Sequence, residues 1–194
     1  MIYEFLEAGG WTWMFPILAV SVIGLMFILE RSWFWLLLWL RSDRRLRRRL
    51  LRGEVPAAGT TTRDPRVQVL LHLAQQPDDG DLALERARML VRDSKAHLKV
   101  LAIVAGLGSA LGLFGTVVGM SKSFEGASLS DPARIVSGLQ SALNTTILGL
   151  VVYVICYTAH AFFAQQSVNL GQDLEEDLNQ ANRSLRSRRR QVTA

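Results

Sequence analysis

The chain holds one cysteine, Cys156, in 194 residues. It therefore has no internal disulfide framework and no Cys-rich metal site. Its three histidines, His72, His97 and His160, form no metal-spaced cluster. There is no Gly-rich phosphate loop and no nucleophile–base motif, so nothing points to an enzyme, a cofactor or a metal. The most consequential absence is of charge. Residues 8–29, 100–121 and 135–172 contain no Asp, Glu, Lys or Arg, over 22, 22 and 38 residues. A spanning helix needs about 20 predominantly apolar residues. Mean hydropathy is +0.20. One large soluble core is excluded, and the pattern predicts an all-α membrane protein with three transmembrane helices and helical cytoplasmic extensions.

The first apolar stretch does not read as a cleaved signal peptide. Glu4 and Glu7 stand where a basic region belongs, and no A-x-A site follows. The stretch continues past Glu30-Arg31, predicting a helix over 11–40 of roughly 45 Å at 1.5 Å per residue. That exceeds a hydrocarbon core of about 30 Å, so Glu30-Arg31 is expected at one lip. All five tryptophans (Trp11, Trp13, Trp33, Trp35, Trp39) lie near the two ends of this stretch, as interfacial aromatics do.

Basic residues set the expected orientation. Arg41, Arg44, Arg45, Arg47, Arg48, Arg49 and Arg52 follow the first span, and Arg183, Arg186, Arg188, Arg189 and Arg190 close the tail. Lys122, Glu125, Asp131 and Arg134, between the second and third spans, sum to zero. The positive-inside rule then gives a periplasmic N-terminus over 1–10 and spans over 11–40, 99–122 and 133–164. Residues 41–98 are cytoplasmic and helical, 123–132 form a periplasmic loop, and 165–194 form a cytoplasmic C-terminal helix. The arginine run lacks the aromatic interleaving of a nucleic-acid surface, so no nucleic-acid partner is expected. Contact with membrane lipids of negative headgroup charge suits it better.

Within the cytoplasmic part, residues 53–65 have linker composition. Val67, Leu70, Leu71 and Ala74 recur at helical spacing. Residues 77–80 (PDDG) read as a turn, and Asp79 or Asp81 as the cap of a helix running from about 81 straight into the second span. The tail carries an apolar stripe, Leu170, Leu174, Leu178, Ala181 and Leu185, with its acids preceding its bases. A helical bundle follows, with a partner-docking surface as the sharper reading.

Gly108, Gly112, Gly115 and Gly119 fall at spacings of four, three and four on one face of the second span. Small residues let membrane helices approach closely, so these, with Gly149 on the third span, predict tight helix packing. Thr116 lies beside that face. The third span carries Ser137, Ser141, Asn144, Thr145 and Thr146. Such polar groups avoid hydrocarbon. They fit either hydrogen bonding between helices or a hydrophilic pore lining. Tyr153, Tyr157 and His160 read as packing or interfacial residues.

At these residues the sequence resembles the MotA/TolQ/ExbB proton-channel family. Residues 112–120 (GLFGTVVGM) with Phe124 are similar to its second-span signature. Residues 138–143 (GLQSAL), then Thr146 and Gly149-Leu150, are similar to its third-span signature. Gly9-Gly10-Trp11 and Glu30-Arg31 also fit. Three spans match the ExbB and TolQ branch. The resemblance implies a homopentamer in the bacterial inner membrane around two copies of an ExbD/TolR-like single-span partner, whose transmembrane aspartate carries protons. Thr116 and Thr146 stand at the family's pore threonines, and proton flow would drive mechanical work on the cell envelope. That branch usually has glutamate where this chain has Ser141, and proline where it has Ile155. With no acid at 141, the partner's aspartate would be the one carboxylate of the pathway. A non-conducting scaffold of the same fold and a Na⁺-driven relative are the competing readings.

Overall fold

A computed structural model of the chain describes residues 11–54, 60–76, 80–124 and 132–193. Among these residues the elements are helices and no strand occurs: α1 (Trp11–Leu40), α2 (Arg44–Leu51), α3 (Pro65–Gln75), α4 (Gly80–Lys95), α5 (Leu98–Phe124) and α6 (Pro132–Thr193). Three helical stretches, Met14–Leu40, Asp81–Phe124 and Ile135–Ser187, are long and apolar enough to cross a membrane. The protein is an all-α membrane protein. The N-terminal segment 1–10, the turn at 77–79 with Asp79, and residues 125–131 of the expected loop lie outside the described residues.

The chain divides into two compact units, residues 1–30 with 97–162, and residues 31–96 with 163–194. In the first, α5 and the opening half of α6 form an antiparallel pair. Gly108 faces Val152, Gly112 faces Gly149, and Gly119 faces Ala142. Ile17 of α1 joins Val104, Ala105, Val152 and Cys156 in a buried cluster. Large apolar side chains elsewhere on these helices point outward, Leu113 at 65% exposed for example, as the lack of a hydrophobic drive inside lipid allows.

In the second unit, the apolar stripe of α6 is the core. Leu170, Leu174, Leu178, Ala181 and Leu185 are all buried, as are Val67, Leu70, Leu71 and Ala74 of α3. Asp64 organises the entry to this unit. It caps α3 by accepting from Arg66 N at 3.0 Å, ahead of Pro65 at the first helical position. Its other oxygen accepts from Asp43 N at 2.9 Å, while Asp43 itself caps α2 through Leu46 N at 3.1 Å. Arg47 of α2 forms a two-pronged pair with Asp177 of α6, at 2.7 and 2.9 Å. The hydrogen bond to Asp177 holds the Arg47 guanidinium above its ordinary pKa, against the cost of burial. Gly53, at φ +74, ends α2 in the left-handed region, where a side chain would be strained.

Asp64 is only 2% exposed. Asp64→Ala removes a helix cap, about 1 kcal/mol, and leaves the part-buried Asp43 N–H without its acceptor, a further ~1 kcal/mol. A fall in the thermal midpoint of the purified chain, with faster proteolysis between α2 and α3, is the expected result. Asp64→Asn, which keeps both acceptors on one oxygen at best, is expected to lie between the two.

One expectation is corrected. The helix from 81 does not run straight into the second span but stops at Lys95, and α5 starts at Leu98. His97 between them has φ +60. The last carbonyls of α4 are taken by side chains. Arg31 Nη1 donates to Asp93 O at 2.8 Å, and Ser167 Oγ donates to Ser94 O at 3.1 Å. Ala96 N–H then turns back to Asp93 O, a tightened final turn. No Gly, Pro or Asn marks this break in the sequence.

Candidate functional site

The α5–α6 pair is built by a matching set of small residues. On α5 these are Gly108, Gly112, Gly115 and Gly119; on α6 they are Gly138, Ala142, Thr145 and Gly149, also at spacings of four, three and four. The closest backbone approach is at Gly149. A methyl group there would lie 2.5 Å from Gly108 O and 2.8 Å from Gly112 Cα, both backbone atoms. At Gly112 it would lie 3.1 Å from Gly149 Cα and 3.1 Å from Thr145 O. Gly106, one flank away, has nothing within 4 Å of that position.

The hydroxyl and amide residues of the third span do not share a face. Thr145 is 1% exposed and sits inside the pair, against Gly115, with its hydroxyl donated to Ala142 O at 2.7 Å. At about 100° per residue, Thr146 points some 60° to one side of the Gly149 direction, and Ser141 and Asn144 some 80° and 140° to the other. Because the helices are antiparallel, the flank of α6 that carries Thr146 meets the flank of α5 that carries Thr116. Thr146 Oγ1 donates to Gly112 O at 3.2 Å, and Thr116 Oγ1 to its own Leu113 O at 2.6 Å. Helix α1 packs on the opposite flank, where Leu148 and Val152 of α6 and Val104 and Leu111 of α5 join Ile17. Thr116 and Thr146 thus lie together on a flank that α1 leaves uncovered, beside the exposed Leu113, Met120, Leu143 and Leu150.

Tyr153 and Tyr157 stack with ring centroids 5.4 Å apart, and His160 Nδ1 donates to Leu98 O at 2.8 Å. Sequence spacing gave no sign of another contact. His97 Nδ1 lies 3.1 Å from Glu30 Oε1, with Phe27 5.3 Å from its ring. These groups are 67 residues apart in the chain, and only the fold joins them. Among the described residues no group of His, Cys, Asp or Glu has the arrangement of a metal site.

Residues 60–176, more than half of the chain, match the profile of the MotA/TolQ/ExbB proton channel family. Two proteins of Synechocystis sp., named ExbB-like 1 and ExbB-like 3 with reference to biopolymer transport, are similar to it. The first is 28% identical over 180 residues, covering 79% of this chain and 66% of the relative. The second is 28% identical over 158 residues, covering 72% and 74%. The chain thus spans just under two thirds of the first relative's length. With three stretches able to cross a bilayer, the chain is a multi-pass inner-membrane protein and belongs to the MotA/TolQ/ExbB proton channel family.

Proposed function

We propose that this chain is the channel-forming, stator-like subunit of an energy-transducing complex. Five copies surround two copies of an ExbD/TolR-like single-span protein, and an aspartate in that partner's helix carries the protons. The observation that carries this reading is the uncovered flank of the α5–α6 pair. It presents Thr116 and Thr146, which lie within the two stretches, 100–121 and 135–172, that contain no Asp, Glu, Lys or Arg. Hydroxyls relay protons and solvate a carboxylate, but they do not titrate near neutral pH. A proton carrier from another chain is then required. We assign the pathway to Thr116 and Thr146. Thr145 we assign to packing, with Gly108, Gly112, Gly115, Gly119 and Gly149. Ser141 and Asn144 we place at the side of the pair that faces α1 or the next subunit.

The periplasmic N-terminus and cytoplasmic C-terminus belong to the same proposal, since the arginines after α1 and at the tail favour the inner side. Native mass spectrometry of the detergent-purified chain is expected to give five copies. A stable monomer or dimer as the main species contradicts the ring. Proton flux into liposomes, for this chain with and without its partner, tests the conduction step itself.

A further inference from the structure

The second unit contains a cavity of about 460 Å³ that the channel reading does not use. Trp35, Leu38 and Trp39 from the end of α1 are among the residues that line it. Arg44, Arg47 and Arg48 of α2 and Arg66 of α3 line it as well, and no acidic side chain is among the lining residues. Arg47 is already committed to Asp177. Arg44, Arg48 and Arg66 make no ion pair among the described residues.

Two buried donors belong to the lining residues. Arg66 Nε and Trp35 Nε1 are shielded from solvent and have no hydrogen-bond partner among the described residues. Leaving a buried donor unpaired is costly. Burial also holds the Arg66 guanidinium below the ordinary arginine pKa, even with Asp64 nearby pulling it upward. A cation in that position gains from an anion that accepts several hydrogen bonds at once. Guanidinium groups match a phosphate's oxygens in geometry as well as charge.

The cavity's place along α1 supplies the rest. α1 is 30 residues long, roughly 45 Å against a hydrocarbon core of about 30 Å. Its last turns therefore enter the headgroup layer. Leu36, Trp39 and Leu40 on those turns are exposed, Trp39 at 67%. An occupant with a phosphate in the cavity would have apolar surface directly beside it.

We propose that this cavity binds a phosphate-bearing anion, and that its source is the headgroup of an anionic phospholipid. Arg44, Arg48 and Arg66 hold the phosphate, the Trp35 indole N–H donates to it, and the acyl chains run along Leu36, Trp39 and Leu40. The site goes beyond a diffuse attraction of basic residues to the membrane, because it depends on particular arginines and not on their number.

That dependence is the test. The full-length chain in a neutral detergent is titrated with dihexanoyl phosphatidylglycerol, dihexanoyl phosphatidylcholine or inorganic phosphate, and indole fluorescence reports binding. Phosphatidylglycerol is expected to bind saturably, and phosphatidylcholine and inorganic phosphate much more weakly. Arg44→Gln with Arg48→Gln is expected to weaken phosphatidylglycerol binding by about tenfold or more, the scale of one lost charge-assisted bond. Arg45→Gln with Arg49→Gln removes the same charge from the same helix, but neither residue lines the cavity, so affinity is expected to change by less than about threefold. All four arginines are exposed, and helicity by circular dichroism confirms that each variant folds. Phosphate matching phosphatidylglycerol, with the same arginine dependence, keeps the anion site and makes free phosphate its source. Equal losses in the two double variants, phosphatidylcholine binding as well as phosphatidylglycerol, or no saturable binding of either anion would overturn the site.

Discussion

Gly149→Ala is expected to destabilise the membrane unit and its assembly. The added carbon would meet Gly108 O at 2.5 Å and Gly112 Cα at 2.8 Å. Neither atom belongs to a side chain that rotates away, so α5 and α6 must separate. Overpacking of this kind costs about 1–3 kcal/mol, occasionally more. The effect extends beyond the pair, since the separation also breaks the Thr146 Oγ1 bond to Gly112 O and releases Thr145 from Gly115. Gly106→Ala is the matched control. Its methyl group meets nothing within 4 Å, and alanine is the better helix former by about 1 kcal/mol. Thermal unfolding in detergent is expected to show Gly149→Ala well below the parent, with a smaller assembled fraction, and Gly106→Ala at or above it. Equal midpoints for the two variants would mean that the helices do not approach at Gly149.

Thr146→Val is expected to act on conduction and to leave the fold in place. Valine keeps the shape of threonine and removes its hydroxyl. Gly112 O loses a second donor but stays within the α5 ladder, so the structural cost is small. In the proposed pathway, the same hydroxyl turns toward the partner's carboxylate when that group is charged. A charge-assisted hydrogen bond contributes roughly 1.5–3 kcal/mol. Its loss raises the acid's pKa by about one to two units, at ~1.4 kcal/mol per unit. The sign follows from which form is bonded: the hydroxyl favours the anion, so without it the protonated acid persists to higher pH and releases its proton more slowly. Flux through the complex is expected to fall by about tenfold, with the pH of half-maximal flux displaced upward. Unchanged flux with an unchanged pH profile would remove Thr146 from the pathway.

The membrane helices were legible because runs without charge leave few alternatives: α1 was expected over 11–40 and is Trp11–Leu40. The tail stripe from Leu170 to Leu185 was equally plain, since an apolar residue every three or four positions over a long helix demands a partner surface. The helix break at Ala96-His97 was not legible. It depends on Arg31 and Ser167 reaching the carbonyls of α4, and those residues lie more than 60 positions away in the chain. The division of the polar residues was hidden for a related reason. Thr145 and Thr146 are adjacent in sequence, yet the register against Gly112 and Gly115 puts one inside the helix pair and the other on its open flank. Residue type shows that a hydroxyl is available; only the register tells which way it faces. The phosphate cavity was half legible. The arginines and tryptophans stood out, but α3, which brings Arg66 to them, is positioned by the buried Asp64.

The central claim is that this chain supplies a path for protons and another chain supplies the carrier. Proton flux into liposomes under an imposed potential tests it most directly, with the chain alone, with its single-span partner, and with that partner's transmembrane aspartate changed to asparagine. Flux is expected only in the second case. Strong flux from the chain alone, or undiminished flux with the asparagine partner, would contradict the account, and no flux in any of the three would leave the chain a scaffold of the same fold.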